Sequence, residues 1–367
     1  MNVGDILELT PEKWVDKGYT IAHHLGRVVF LRAGIPNRKG RFTIEKLTSK
    51  LIFASDYSIK SDCEVFSKCG GCSYRHISYE EEITLKTNEL SKSLSIELDT
   101  IEVIKADPEG YRNNVQWKIS QKNIGLYKSF SNEIVNLRQI GCKNLDPSLK
   151  YPPINILNSN LKDLKIRLSN SIPIDYAKEE TILEIGKFQI RIPRNGFMQT
   201  NQFLIKPWLE KIKSFLPENQ TNHILEFYCG AGLIGIYGKD KISSLEGFEM
   251  VESSIQYARK NAKANKVELY EYKTVDLGKM SPKIVKGKQN IWIMNPPRAG
   301  LSEKLRAMIS HFKPKEIIYS SCDAMTLARD LRFIRNFNSE YNLEKTVLFD
   351  FFPRTPHYEV LIHLKKK

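Results

Sequence analysis

No stretch of this 367-residue chain approaches the ~20 consecutive apolar residues that a membrane span needs. Its first residues, MNVGDILELTPEKW, carry acids where a secretory leader needs an apolar core. The expectation is a cytoplasmic protein with no membrane association. Cysteine is scarce, with six residues at 63, 69, 72, 142, 229 and 322. In a reducing compartment such thiols serve as metal ligands or reactive groups more readily than as disulfides. Acid is also in short supply: 42 Asp and Glu stand against 56 Lys and Arg, a net charge of +14 spread along the whole chain. That field suits a polyanion and makes nucleic acid the default partner, without separating RNA from DNA.

The length implies two or three domains. Residues 1–57 read as short strands (DILEL, GRVVFLRA, RFTIEKL) punctuated by Gly26, Gly34, Pro36 and Gly40, which fits a small β-barrel. Positive charge on it, at Arg27, Arg32, Arg38, Lys39 and Arg41, would suit a phosphate backbone. Residues 58–190 hold the segment CEVFSKCGGC, a charged helical stretch YEEEITLKTNELSKSL, and then mostly strands and turns. From residue 191 onward apolar strands alternate with helices, which implies a parallel sheet covered on both faces. The last two strands are too close for a crossover helix and must form an antiparallel hairpin. The expected fold is therefore α/β, a doubly wound sheet ending in a hairpin. That ending points to methyltransferases rather than dinucleotide dehydrogenases.

Within that sheet, EFYCGAGLIG runs from a strand into a turn with Gly230 and Gly232, where a bare backbone lets a ligand approach closely. Glu249 ends the next strand, and an acid there can hold both hydroxyls of a ribose. Together they suggest an adenosine-containing cofactor. The two prolines of MNPPRAGL stiffen a loop that presents Asn295 at the sheet edge. Cys322 follows one strand later, where a helix start and a cation such as Arg298 or Arg354 would favour a thiolate. The hairpin FFPRTPHYEV offers His357 and Glu359 for acid–base work. Far upstream, Cys63, Cys69 and Cys72 lie in one short loop opened by Gly70 and Gly71, and Cys142 can complete a set of four. All-thiolate ligation suits zinc or an iron–sulfur cluster, and spacing does not choose between them.

Over nearly its whole length the chain resembles the S-adenosylmethionine-dependent RNA (uracil-5-)-methyltransferases, especially those that modify 23S ribosomal RNA. Residues VGDILELT and GYTIAHHLGRVVFLRAGIP are similar to a shortened TRAM domain, and CEVFSKCGGCSYRHISYEEEITLK to the family's iron–sulfur segment. The resemblance implies a class I methyltransferase domain over 191–367, after a TRAM-like barrel (1–57) and a mainly β central region with the iron–sulfur segment (58–190). It implies a [4Fe-4S] cluster on Cys63, Cys69, Cys72 and Cys142, and S-adenosyl-L-methionine near Gln199, Tyr228, Gly230, Glu249, Asp276 and Asn295. It also implies Cys322 as nucleophile and Glu359 as general base. Carbon 5 of uracil is too poor a nucleophile unless a thiolate first adds to carbon 6, which is the role expected of Cys322. Both ring faces must then be reachable, so an unpaired or flipped-out uridine is the expected substrate. No obligate protein partner is implied.

Two residues depart from the family pattern. Asn295 stands where an aspartate usually precedes Pro-Pro-Arg, and an amide, which both donates and accepts, no longer excludes cytosine. Leu233 stands where a polar residue is common. Other readings are a methyltransferase acting on exocyclic amines, a non-catalytic RNA-binding protein and an iron–sulfur electron carrier. Cys322 argues against the first. The joint presence of Cys322, Glu359, Gln199 and Glu249 argues against the second, and the third would need no cofactor turn.

Overall fold

The computed structural model describes residues 1–120, 123–153, 161–218, 222–285, 291–337 and 341–367. The chain opens with strands β1 (Ile6–Leu9), β2 (Lys13–Val15), β3 (Tyr19–His24), β4 (Arg27–Arg32), β5 (Gly40–Leu47) and β6 (Leu51–Ser55). Helix α1 (Tyr79–Leu94) and strand β7 (Ile101–Ile104) follow. Next come β8 (Asn114–Ile119), β9 (Ile124–Tyr127), β10 (Ile134–Asn136), β11 (Asp163–Ser169), β12 (Ile172–Asp175), β13 (Thr181–Ile185) and β14 (Phe188–Ile192). The rest alternates: α2 (Ile205–Ser214), β15 (His223–Phe227), α3 (Leu233–Tyr237), β16 (Ser244–Glu249), α4 (Glu252–Ala264), β17 (Tyr270–Thr274), β18 (Ile291–Met294), α5 (Glu303–Phe312), β19 (Glu316–Ser321) and α6 (Ala324–Phe337). Strands β20 (Tyr341–Phe349) and β21 (Glu359–Lys366) close it. Among the described residues no helix is long and apolar enough to cross a membrane.

The chain divides into two compact units. One comprises Met1–Glu89, Asp107–Ile166 and Phe352–His357, the other Leu90–Ala106, Arg167–Phe351 and Tyr358–Lys367.

In the first unit, strands β1 to β6 form a sheet in the order β1-β5-β6-β4-β3-β2, antiparallel except where β4 meets β6. Period-2 alternation sends Leu7, Leu9, Val29, Leu31, Phe42, Ile44, Ile52 and Ala54 into one core. The Ser78 hydroxyl accepts the Glu81 N–H at 3.1 Å and caps the start of α1, whose first turn is acidic. One turn in, Glu82 and Lys86 form a fully buried ion pair at 2.6 Å. Strands β8, β9 and β10 form an antiparallel meander, with Val115, Trp117 and Ile119 buried on alternate positions of β8.

The second unit is organised by an eight-stranded sheet in the order β17-β16-β15-β18-β19-β21-β20-β7. Strands β15 to β19 are mutually parallel, and β18 (IWIM) is buried at every position, as a strand covered on both faces must be. From β15 the chain first winds one way through β16 and β17, then the other way through β18 and β19. Ligands of such sheets bind at that reversal, at the carboxyl ends of the strands. Strand β21 lies antiparallel between β19 and β20, and β7 pairs parallel with β20. The hairpin β13–β14 docks on α4 through two asparagines one turn apart. Asn261 exchanges hydrogen bonds with the Arg191 backbone, and Asn265 does so with that of Gln189.

Candidate active site and cysteine cluster

At the end of β15 the backbone enters the left-handed region at Tyr228 (φ 60°), Gly230 (φ 53°) and Gly232 (φ 81°). A Cβ at Gly232 would lie 2.7 Å from the Tyr272 hydroxyl, so only glycine fits. A Cβ at Gly230 would meet nothing within 4 Å, which leaves the bare backbone facing open space. Tyr228, although not glycine, is held in this conformation by its hydroxyl, which accepts the Ser302 N–H at 3.1 Å. Glu249 is brought to the same turn. Its carboxylate accepts N–H bonds from Gly230 (3.3 Å), Met250 (2.8 Å) and Val251 (3.0 Å), so it is oriented before any ligand arrives. Beside it, the side chains of Met250 and Val251 are exposed. Asn261 of α4 donates to the Ala231 carbonyl at 3.0 Å and braces the turn from behind.

Gln199 is buried just ahead of α2, and Asp276 lies exposed beyond β17, accepting the Gly278 N–H at 2.9 Å. Asn295 follows β18 and is half-buried. The loop after it is pinned by α6: Thr326 donates to the Arg298 carbonyl (3.1 Å), Arg329 donates to that of Ala299 (2.9 Å), and Asp330 accepts the Leu301 N–H (2.9 Å). Asp330 is fully buried, and Arg306 (3.0 Å), Arg329 (2.8 Å) and the Tyr319 hydroxyl (2.8 Å) satisfy it. From this loop the exposed Arg298 acts on Cys322 in the direction of its thiolate, against larger opposing effects. Arg354, the other cation considered, is engaged elsewhere, with Glu82 and the Ile77 carbonyl.

Cys322 follows β19 directly and is half-buried. The antiparallel register of β19 and β21 runs to Ser321↔Val360; Cys322 and Glu359 are the next residues on the two chains, and the Glu359 carboxylate acts on the Cys322 thiol. Burial first, then the nearby Glu359 carboxylate, push the Cys322 thiol up to about 11 against the pull of Arg298. Glu359 is 2% exposed, and burial pushes it up to about 7. Its Oε1 accepts the hydroxyl of Ser320 at 2.6 Å, and the Ser320 oxygen in turn accepts the Trp208 indole N–H at 3.0 Å. Ser320, Trp208 and Asn261 are the residues that reading the sequence missed. A serine inside the apolar strand EIIYSS was the available signal.

The upstream cysteines also converge. Cys63, Cys69 and Cys72 each lie within electrostatic reach of Cys142, and burial pushes Cys69 up to about 11 and Cys72 up to about 12. Among the described residues, no group of three or more His, Cys, Asp and Glu side chains is placed to hold a single metal ion. Asn144 donates to the Cys72 sulfur (3.3 Å), and the buried Arg75 bonds Asn144 (2.6 Å) and Asp62 (2.5 Å). Arg32, expected on the basic outer surface of β4, turns inward and donates to the carbonyls of Phe66, Ser67, Cys69 and Cys72. Strand alternation does not foretell this, because Arg32 ends its strand where the chain folds over it.

The strand order, the glycine turn with its oriented acid, and the hairpin beside the thiol define a class I methyltransferase domain. The sequence model of the tRNA (uracil-5-)-methyltransferase family matches residues 283–367, and that of the methyltransferase small domain matches 211–321. The chain is 37% identical over 402 residues to an uncharacterized RNA methyltransferase of Leptospira interrogans serogroup Icterohaemorrhagiae serovar copenhageni (strain Fiocruz L1-130), covering 99% of this chain and 95% of the relative. It is 26% identical over 409 residues to a 23S rRNA (uracil(1939)-C(5))-methyltransferase of Marinomonas sp. (strain MWYL1), covering 95% and 92%. Its fold matches the crystal structure of Pyrococcus abyssi tRNA (uracil-54, C5)-methyltransferase in complex with S-adenosyl-L-homocysteine, with a TM-score of 0.76 at 22% identity, covering 98% and 100%. The chain belongs to the S-adenosylmethionine-dependent RNA (uracil-5-)-methyltransferase family.

Proposed function

We propose that this enzyme methylates carbon 5 of an unpaired uridine in 23S ribosomal RNA, with Cys322 as nucleophile and Glu359 as general base. The observation that carries the reading is that Cys322, directly after β19 at the carboxyl edge of the parallel sheet, lies within electrostatic reach of the buried Glu359 that opens the neighbouring antiparallel strand β21. The Cys322 thiol gives up its proton to solvent as its sulfur adds to carbon 6 of the flipped-out base, and the displaced electron pair makes carbon 5 nucleophilic. S-adenosylmethionine, which Tyr228, Gly230, Glu249, Gln199 and Asp276 would hold, would supply the methyl group that carbon 5 takes, its sulfonium sulfur keeping the bonding pair and leaving as the neutral thioether. Glu359 takes the carbon 5 proton. The released pair re-forms the 5,6 double bond and expels the Cys322 thiolate. A base poised near neutrality suits that step.

The N-terminal sheet serves RNA through Arg27, Arg38 and Arg41. Cys63, Cys69, Cys72 and Cys142 hold a [4Fe-4S] cluster, a reading supported by four like donors that converge. No step of methyl transfer runs through it. Asn295 favours a second reading on one point only, acceptance of cytosine beside uracil.

The test is incubation with S-adenosylmethionine and 5-fluorouridine-substituted transcripts of 23S ribosomal RNA and of transfer RNA. Fluorine does not leave as a proton does, so a methylated covalent complex is expected on the ribosomal transcript and is lost in Cys322→Ser. Trapping on the transfer RNA transcript alone would overturn the target. Methylation of ordinary transcripts with no adduct on the fluorinated ones would overturn the mechanism.

A further inference from the structure

Ser320 is a hydroxyl in an otherwise apolar strand, 2% exposed, and both of its hydrogen bonds are spoken for. The Trp208 indole is 1% exposed and can only donate, so it occupies a lone pair of the Ser320 oxygen and turns the single hydroxyl proton toward Glu359. Cys322 lies two residues beyond Ser320, just past the end of β19, and Glu359 is the diagonal cross-strand neighbour of Ser320.

We propose that Ser320, oriented by Trp208, is a positioning residue for the proton-removal step: it clamps Oε1 of Glu359 and leaves Oε2 to take the carbon 5 proton. The inference rests on the reading of Glu359 as the base. A hydroxyl that donates to a carboxylate stabilises its charged form, so Ser320 offsets part of the upward push that burial exerts on Glu359. Among the described residues, the titratable neighbour coupled to Glu359 is the Cys322 thiol, itself under the influence of Arg298 and Asp323. Phe349 of β20 and Trp208 of α2, the other neighbours, carry no charge. In chemical terms the carbon 5–hydrogen bond breaks toward Oε2, its electron pair forms the carbon 5–carbon 6 double bond, and the sulfur leaves as thiolate.

The test compares Ser320→Ala, Ser320→Thr and Glu359→Gln with the unaltered enzyme. Two readouts are used: the pH profile of methylation on transcribed 23S ribosomal RNA, and an infrared titration of the protein alone, with the carboxyl band assigned by its loss in Glu359→Gln. In Ser320→Ala the acid limb and the infrared midpoint both move up by about one pH unit. The loss at pH 7 is about fivefold and is recovered by pH 9, while methylated covalent adduct accumulates on ordinary RNA. Ser320→Thr keeps the native midpoint. An unchanged infrared midpoint in Ser320→Ala, or a rate loss equal at every pH, overturns the proposal. Native turnover by Glu359→Gln would overturn the base assignment instead, and the infrared shift still reports the clamp by itself.

Discussion

The guanidinium of Arg32, at the end of β4, lies 2.6 Å from the carbonyl oxygen of Cys69 and also bonds the carbonyls of Phe66, Ser67 and Cys72. Cys69 and Cys72 are two of the four clustered thiols, so one buried side chain ties the N-terminal sheet to the loop that presents them. Arg32→Met removes every one of these bonds and leaves buried carbonyls without partners. The expected cost is about 3 kcal/mol or more, read as a lower unfolding midpoint in the apoprotein. Iron retained per chain after anaerobic reconstitution should fall with it. Native iron content in a folded Arg32→Met protein would show that the cysteine loop needs no clamp.

Glu359 makes stability depend on pH in a definite sense. Its carboxyl is pushed up to about 7 in the folded chain from an ordinary 4.5, so the folded state holds the proton more tightly than the unfolded one. Stability therefore falls as pH rises from about 4.5 to about 7 and stays lower above that. Glu359→Gln removes the dependence while keeping an acceptor for Ser320. It should stabilise the protein at pH 8 by up to about 3 kcal/mol and have no effect at pH 4, as measured by denaturant unfolding. An equal effect at both values would mean the carboxyl is not held neutral by burial.

At rest Cys322 should be a thiol. Cys322 is pushed up to about 11, so alkylation of its peptide by iodoacetamide, followed by mass spectrometry, should be slow at pH 7 and rise about tenfold per pH unit through pH 10. Arg298 opposes the shift from an exposed position, where solvent screens it. Arg298→Met should therefore slow labelling by about two- to threefold. A rate at pH 7 above that of a free cysteine peptide would show a preformed thiolate.

Asn295 is testable by base choice. Its backbone N–H reaches the Phe227 carbonyl at 3.4 Å, so its place beside β15 is set by the main chain and survives substitution. Asn295→Asp replaces an amide that donates or accepts with a carboxylate that only accepts. The ratio of uracil to cytosine methylation on matched transcripts should rise by about tenfold or more, and indistinguishable ratios would remove Asn295 from base recognition.

Much of the catalytic unit was legible in the sequence because its signals are local. Glu249 ends β16, and Cys322 follows β19 as the apolar run suggested. Strand β7 was not legible in this way. Residues 58–190 read as one central region, yet Ile101–Ile104 pair with Thr346–Phe349 at the edge of the large sheet. Pairing between segments so far apart leaves no mark in hydrophobic period. Arg32 and Arg27 look alike as basic strand residues, but one is buried against carbonyls and the other lies at a strand start.

Periodicity, glycine placement and the positions of reactive side chains are properties of neighbours along the chain, and they determined the alternating sheet, the glycine turn after β15 and the place of Cys322 after β19. Which polar side chains face one another was decided by register and burial. Ser320 meets Glu359 because an antiparallel strand inserts between β19 and β20, and Glu359 is pushed toward neutrality because that insertion seals it from water. Such contacts join residues with no sequence relationship, and their energies depend on the loss of solvent that only the packed structure brings about.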